Sequence, residues 1–576
     1  MTLVFMNSPL LPSSALAPSV LLESFEQPNL PTAPLLFGQQ RVVDAFKLSC
    51  RTLNQHMYLA DFDGNNKPEL FKALTDLLPL PTSQYLVNKA GDFLWQDEAL
   101  SNQVAQKSTP WVWLNGAIKK RDLIGHASMK NGELNYQAGA LASAHYIFIT
   151  ADDLYKREPL WELVIQMLTD GFYRVHSELP VIPFNGKIIL VGNGYGYSQL
   201  VYQEPPFTIH FSILAEMVSE IERTEEHETT YIAWLNHLAK LQQVELDPSA
   251  LAFLIKYSCK LTEHQQRLSL CQLPFMQLMA QAAALTQQTV VSAESLQQSL
   301  MAFKDRHNAS EQLSAQSFDD KFIMLQTEGE MIGQVNGLTV IDSPDYCYGE
   351  PARITTSVHY GDGEVADIER KSELGGNLHA KGMMILSSCL YRIFGKDAPL
   401  HLNANIVFEQ SYQEIDGDSA SAAEFCCLVS AIAEYPIQQS LAITGALDQF
   451  GHVQAIGGVN EKIVGFFNLC ERRGLTGQQG VIIPKSNVIQ LHLPEKIITA
   501  VEQQKFSIYA IEHVDQAVEL LMGLPAGVAD EDNNFAEDTL YGRVQFRLDR
   551  LDEPLTDNEP TLLQRICNKC LFWKNI

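Results

Sequence analysis

The chain has 576 residues, 46% of them hydrophobic and 9% aromatic, an ordinary globular composition that excludes wholesale disorder and predicts two to four domains. Its 41 Lys and Arg stand against 68 Asp and Glu, and no long basic run offsets the formal net charge of −27, which excludes nucleic acid as an expected partner. No run of about 18 apolar residues is present to span a bilayer, so no membrane partner is expected.

Residues 1–40 are rich in Pro and poor in charge, and read as an arm that packs on a neighbour or stays loose. No Lys or Arg precedes Arg41, so this mildly apolar stretch lacks the basic region of a secretory signal. "FGQQRVVDAFKLSC" (37–50) carries apolar residues at helical spacing. "HMYLADF" (56–62), "HYIFITADDLY" (145–155) and "KIILVGN" (187–193) read as buried strands. Each is followed by polar turn residues and a helix-like segment, the pattern of a parallel sheet with crossover helices. From 236 to 310 the pattern is helical throughout, with "LAFLIKYSCKL" and "PFMQLMAQAAAL" as cores. "DRHNASEQLSAQSFDDK" (305–321) is polar enough to predict a disordered joint. A mixed strand-and-helix segment runs to about 525, and the acidic linker "ADEDNNFAED" opens a short tail. Ten cysteines are scattered; Cys426 and Cys427 lie in an apolar helical run, and Cys567 and Cys570 form a lone CxxC. One such pair is weak for zinc, and free thiols in a reducing cytoplasm are expected.

Several motifs fail on spacing. A phosphate loop needs GxxxxGK[ST], because its amides cradle phosphates, its Lys neutralises them and its hydroxyl holds Mg²⁺. Gly-Lys occurs at 186–187 and 395–396, followed by Ile188 and Asp397. In "VGNGYGYSQL" the glycines at 192, 194 and 196 miss GxGxxG, and a strand-to-helix turn is predicted instead. "HETTY" (227–231) puts Tyr where the second histidine of HExxH belongs, and reads as part of an acidic, solvated helix.

"IDGDSASAAEFCCLVSAIAEYP" (415–436) places a tight turn before an apolar helix, with Ser419 at the junction. Backbone amides and the macrodipole at such a helix start favour an oxyanion. Ser and Asp are also the commonest N-caps, so the stretch alone leaves open whether Ser419 is a cap or a nucleophile. A serine nucleophile needs a base, and "GALDQFGHVQAIGGVNEKIVGFFNLCERRG" (445–474) offers one. It reads as a hairpin, a Gly457-Gly458 turn and an amphipathic helix, with Lys462 one turn in beside Ile463, Val464, Phe466 and Phe467. A lysine held against such groups loses hydration and its pKa falls, so it can accept the serine proton near neutral pH; taken alone, it reads more readily as a solvated helix lysine. Lys381 in "HAKGMM" is a rival base and His379 a rival partner.

Taken in order, "GQVNGLTV", "PARITTSV", "GGNLHAKGMMILSSCLYRIF", "IDGDSASAAEF", "AITGALDQFGHVQAIGGVNEKIVGFF" and "GVIIPKSN" resemble the proteolytic domain of the Lon family of ATP-dependent serine peptidases over residues 325–525. The resemblance implies Ser419 as nucleophile and Lys462 as general base, with Lys381 and His379 outside the dyad positions. It also implies Thr444 as the threonine beside the dyad lysine and Asp416 as the acid of the family's serine turn. Asp418 stands where many bacterial members have proline, and GDSAS is the archaeal-type form. "FGQQRVVDAFKLS", "HMYLADFDGNNKPEL", "AGALASAHYIFITADDL" and "KIILVGNGYGYSQLVYQEPPFTIHF" resemble the ATPase module of Lon-like proteins, and the helices of 236–310 its lid. That module departs from the family at "ADFDGNNKPEL", which has one glycine, no GK[ST], and Asp61 and Asp63 to repel phosphates.

The expected architecture is α/β multidomain. It comprises an arm (1–40), a degenerate AAA+-like α/β module (41–235), a helical lid (236–315), an α+β Lon-type proteolytic domain (320–525), and an acidic linker with a C-terminal tail (526–576). The resemblance implies a cytoplasmic serine endopeptidase acting on polypeptides, assembled as a homo-oligomeric ring, usually a hexamer. Its chemistry requires no metal or cofactor, and ATP with Mg²⁺ is doubted. Two alternatives stand beside it: ATP-dependent proteolysis through a non-standard nucleotide pocket, and a catalytically silent protein-binding scaffold.

Overall fold

The computed structural model describes residues 9–22, 34–79, 82–130, 133–343, 346–361, 365–395, 402–411 and 415–552. The Cys567/Cys570 pair, the end of the tail and parts of the arm lie outside the described residues. The chain divides into two compact units, one of 20–262 with 266–302, the other of 303–552 with 9–19 and 263–265.

In the first unit, helix α1 (Gln40–Arg51) precedes strand β1 (Met57–Ala60), and helix α2 (Lys67–Asp76) follows it. Strands β2 (Thr109–Leu114), β3 (Ala144–Thr150), β4 (Lys187–Gly192) and β5 (Ile213–Glu216) complete a five-stranded sheet of order β5-β1-β4-β3-β2. All its pairings are parallel, as the strand-and-crossover pattern predicts. Apolar side chains alternate between two cores. Met57, Leu59 and Phe148 join Phe46 and Phe71 on one face, with the Phe71 and Phe148 rings stacked at 4.0 Å. Tyr58, Ile147 and Leu190 join Leu154 and Trp161 on the other. Helix α3 (Gly194–Gln203) starts on Asn193, whose side chain accepts from Gly196 N, so "VGNGYGYSQL" is the expected strand-to-helix turn. A small sheet (Gln84–Lys89, Asp92–Gln96, Gln103–Lys107) and a hairpin (His126–Lys130 with Glu133–Gln137) interrupt the unit, and their short strands lie outside the predicted elements.

Helices α4 (Glu225–Leu241), α5 (Pro248–Leu261), α6 (Gln272–Thr286) and the start of α7 (Ala293–His307) form a separate core around Tyr231, Trp234 and Phe275. Here the solvated-helix reading of "HETTY" is wrong. Glu228 and Tyr231 are fully buried; Glu228 accepts from the amides of Leu21 and Leu22 and pairs with Arg223 at 2.6 Å. The expected disordered joint at 305–321 is also wrong. Its residues continue α7 and form α8 (Ala309–Asp319), held by Phe318 in a small core with Leu325 and Leu469 and by an Arg472–Asp319 ion pair at 2.9 Å.

The second unit is built on β6 (Gln334–Ser343), β7 (Tyr346–Tyr360), β8 (Val365–Asp367), β9 (Leu402–Glu409), β10 (Leu441–Ile443), β13 (Gly480–Pro484) and β14 (Ser507–Ile511). The hairpin strands β11 (Ala446–Leu447) and β12 (Val453–Gln454) lie outside this sheet, whose order is β8-β9-β7-β6-β10-β13-β14. Of the arm, Leu11 N donates to Ile508 O and Ala510 N to Pro9 O, so residues 9–11 cover the β14 edge. One face carries α9 (Asn377–Phe394), α10 (Ser421–Ala433), α12 (Val514–Met522) and α13 (Leu540–Asp552); the other carries α11 (Val459–Arg473). α10 is buried along nearly its whole length, including Cys426 and Cys427. A residue before α10 and a residue of α11 can meet only past the carboxyl end of β10, where Thr444 lies. Crevices at strand carboxyl ends are where open α/β sheets bind ligands.

Candidate active site

The turn before α10 is held on both sides. Ile415 N donates to Leu374 O, and Ile415 O accepts from Gly376 N. Gly417 then adopts φ +120°, a conformation that favours glycine, and the chain reverses through Asp418, Ser419 and Ala420. Ser419 O accepts from Gly445 N at 2.8 Å, and Ala422 N donates to Gly445 O at 3.1 Å. Ser421 Oγ donates to Asp418 O and accepts from Leu447 N, stapling the turn to the β11–β12 hairpin. Ser419 does not cap α10, because the cap position is Ala420 and has no side-chain cap bond. The Ser419 hydroxyl is left for another partner.

That partner is Lys462. α11 lies against β7 with backbone touching backbone, because a Cβ at Gly465 would sit 2.0 Å from Gly349 O. Lys462 is only 3% exposed; its Nζ is 2.9 Å from Ser419 Oγ and 3.1 Å from Thr444 Oγ1. Thr444 Oγ1 in turn donates to Ser419 O at 3.1 Å. Burial pushes the Lys462 amine down to about 8, with the Asp418 charge opposing it. Three of the five predicted site residues therefore touch: Ser419, Lys462 and Thr444. Such a triad can pass a proton between hydroxyl and amine over one hydrogen bond.

The other two predicted residues stand one step back. Asp418 contributes its charge and, through its carbonyl, the Ser421 staple. Asp416 Oδ1 accepts from Leu378 N at 3.0 Å, His379 N at 3.4 Å and Gly417 N at 3.0 Å, so it caps α9 from outside. Of the rivals, Lys381 is exposed and His379 is buried, 3.1 Å from Asp367 Oδ2. Neither makes a contact with Ser419. The sequence reading missed Ser421, although a second serine two residues after the first was its available signal.

In the first unit, the loop after β1 stands where a phosphate loop would. Asp61 is buried there; its Oδ1 accepts from Phe62 N and from Asn65 Nδ2, both at 2.8 Å, and its Oδ2 pairs with Lys67 at 2.9 Å. Gln272 Oε1 accepts from Asn66 N, and Leu273 N donates to Gly64 O, tying the loop to α6. A carboxylate already takes the amide and the ammonium that a phosphate would need, so these residues do not fit a nucleotide phosphate.

Residues 395–523 match the Lon protease (S16) C-terminal proteolytic domain, and 245–306 match the archaeal LonB AAA+ ATPase LID domain. A protein of Haemophilus influenzae described as "Putative Lon protease homolog" is 38% identical over 422 residues, 71% of this chain and 70% of that one. An Escherichia coli protein of the same description is 36% identical over 423 residues, 71% of this chain and 72% of its own length. The archaeal Lon protease of Archaeoglobus fulgidus is 29% identical over 227 residues, 39% of this chain and 34% of that one. With the proteolytic and lid domains both matched, and more than a third of residues shared with relatives over most of their length, the chain belongs to the Lon protease family.

Proposed function

We propose that the chain is an endopeptidase that cleaves polypeptides with Ser419 as nucleophile and Lys462 as general base, and that its nucleotide module has lost its ATPase chemistry. The observation that carries the reading is the 2.9 Å contact between a buried, partner-poor lysine amine and a serine hydroxyl on a glycine-enabled turn. Neutral Lys462 takes the Ser419 proton as Oγ attacks the scissile carbonyl. The resulting ammonium gives that proton to the leaving amine, and an acyl-enzyme remains. Water then attacks as Lys462 takes its proton, and the ammonium returns that proton to Ser419 Oγ as the carboxylic acid product leaves. Negative charge on the carbonyl oxygen would be favoured by the positive end of the α10 dipole. Thr444 would orient the amine by accepting one of its hydrogens, so that its lone pair points at Ser419.

The self-contained Asp61 contacts support the loss of ATP chemistry, and no step of the hydrolysis needs a metal or cofactor. Family membership supports a homo-oligomeric ring as the working form, and the many reduced, buried thiols suit a cytoplasmic setting. No described helix is long and apolar enough to cross a membrane. A peptide boronate tests the reading directly. Wild-type protein is expected to be inhibited through an adduct on Ser419, absent in Ser419→Ala. Assembled, folded protein that forms no adduct would favour a protein-binding scaffold instead.

A further inference from the structure

Behind the turn that carries Ser419 lies a group of four buried ionisable side chains that the hydrolytic reading does not use. Asp367 ends β8, Glu369 follows in the one-turn helix Ile368–Lys371, and His379 and Glu424 stand in the first turns of α9 and α10. All four are 7% exposed or less. His379 Nε2 lies 3.1 Å from Asp367 Oδ2 and 3.9 Å from Glu424 Oε1, and these three atoms have no other partner among the described residues. Asp367 Oδ1 accepts from Glu369 N and Glu369 Oε1 from Phe408 N, which fixes the far side of the group.

Three carboxyl groups around one imidazole in so dry a place cannot all be ionised, because like charges without water repel strongly. Burial pushes the Glu424 carboxyl up to about 7, with His379 partly opposing it, and burial also raises Glu369. For His379, burial works against the charged form, but the Asp367 bond and the facing carboxylates outweigh it and raise its pKa. Glu409 of β9 adds like charge beside Glu369. Together with the buried Cys427 thiol of α10, these are the titratable groups that face Glu424.

The two helices whose first turns meet here also suspend the Ser419 turn. Asp416 caps α9 at Leu378 and His379, the latter the imidazole residue itself. Gly382 of α9 leaves a Cβ only 3.2 Å from Asp418 Cα, and α10 begins two residues after Ser419. We propose that Glu424 is a positioning residue that shares a proton with His379 and Asp367, holding the first turns of α9 and α10 together and keeping Ser419 in register with Lys462. The proposal rests on the Ser419–Lys462 reading. When the proton leaves, an excess carboxylate stands between the helices and the turn loosens.

The sign follows from the raised carboxyl. Folded chain keeps the Glu424 proton up to pH of about 7, whereas an unfolded carboxyl loses it near its ordinary value of 4.5. Stability from this group is therefore full below the unfolded value and is lost as pH rises through 7. Gln at 424 imitates the protonated form at every pH.

Two measurements on the full chain test this. Thermal unfolding of Ser419→Ala beside Ser419→Ala/Glu424→Gln needs no activity. The Gln variant is expected to melt about 2–4 °C higher at pH 8, with the difference vanishing toward pH 5. A difference independent of pH, or a Gln variant less stable throughout, overturns the shared proton. Peptide hydrolysis is then compared for wild type and Glu424→Gln from pH 6 to 9. The ratio of variant to wild-type kcat is expected to rise about three- to tenfold across that range. A constant ratio overturns the positioning role, since a purely structural glutamate would change activity by one fixed factor. Failure of the underlying reading shows separately: Ser419→Ala would then hydrolyse peptide as fast as wild type, while the melting series still judges the proton.

Discussion

In the proposed reading, Lys462 serves as a base because the residues around it keep water out. At an ordinary lysine pKa almost none of the amine is neutral at pH 7; at about 8, roughly one-tenth is, and about half at pH 8. Thr444 holds that amine in place while its hydroxyl hydrogen is spent on Ser419 O. Thr444→Val should thus keep the shape, lose the bond and lower kcat by roughly 10- to 100-fold, the range for a buried hydrogen bond of about 1–3 kcal/mol, with little change in KM. Steady-state kinetics on a short peptide checks this, and an unchanged kcat would remove Thr444 from the site. At this scale much was legible in the sequence. The GDSAS turn and the lysine 43 positions later are local patterns, and 462 − 419 gives that spacing directly. Glu424 was not legible, since an acid in a first helical turn is ordinarily solvated, whereas here α10 is buried along nearly its whole length.

Among the elements, α10 and α11 are what bring the pair together, from opposite faces of one sheet. Their meeting depends on the backbone contact of Gly349 with Gly465. Gly465→Ala would force a methyl to within 2.0 Å of the Gly349 carbonyl oxygen, so α11 must move outward and draw Lys462 with it. Such overpacking costs about 1–3 kcal/mol, and peptide hydrolysis is expected to fall further than the small loss of melting temperature would explain. A variant as active as wild type would show that Lys462 tolerates displacement. Strands buried on both faces, as β1 and β4, and helices with one buried face, as α6, were readable because burial sets the pattern of their apolar residues. The antiparallel strands of 84–137 and helix α8 were not. The strands are short, and in α8 a tertiary contact, Phe318 with Leu469, decides the structure.

For the whole molecule, the proposed function pairs peptide hydrolysis with a first unit in which the Asp61 carboxylate holds the loop after β1 through Phe62 N, Asn65 and Lys67. Mg-ATP should therefore leave hydrolysis of a short unstructured peptide unchanged, and a fluorescent ATP analogue should show no micromolar binding. A several-fold stimulation would mean that the module still binds and signals. Light scattering of purified protein should give a mass several times that of one 64.4 kDa chain, as a ring requires; a monomer that retained full activity would dispose of the ring. The central claim, a Lys462 base serving Ser419, is tested most directly by the pH dependence of kcat/KM for a short peptide, measured for wild type beside Ser419→Ala and Lys462→Ala. A buried amine with its pKa lowered to about 8 gives a rate that rises about tenfold per pH unit below 8 and levels above it, with each variant slower by at least about 10²-fold. A flat profile from pH 6 to 9, or a Lys462→Ala enzyme close to wild type, would contradict it.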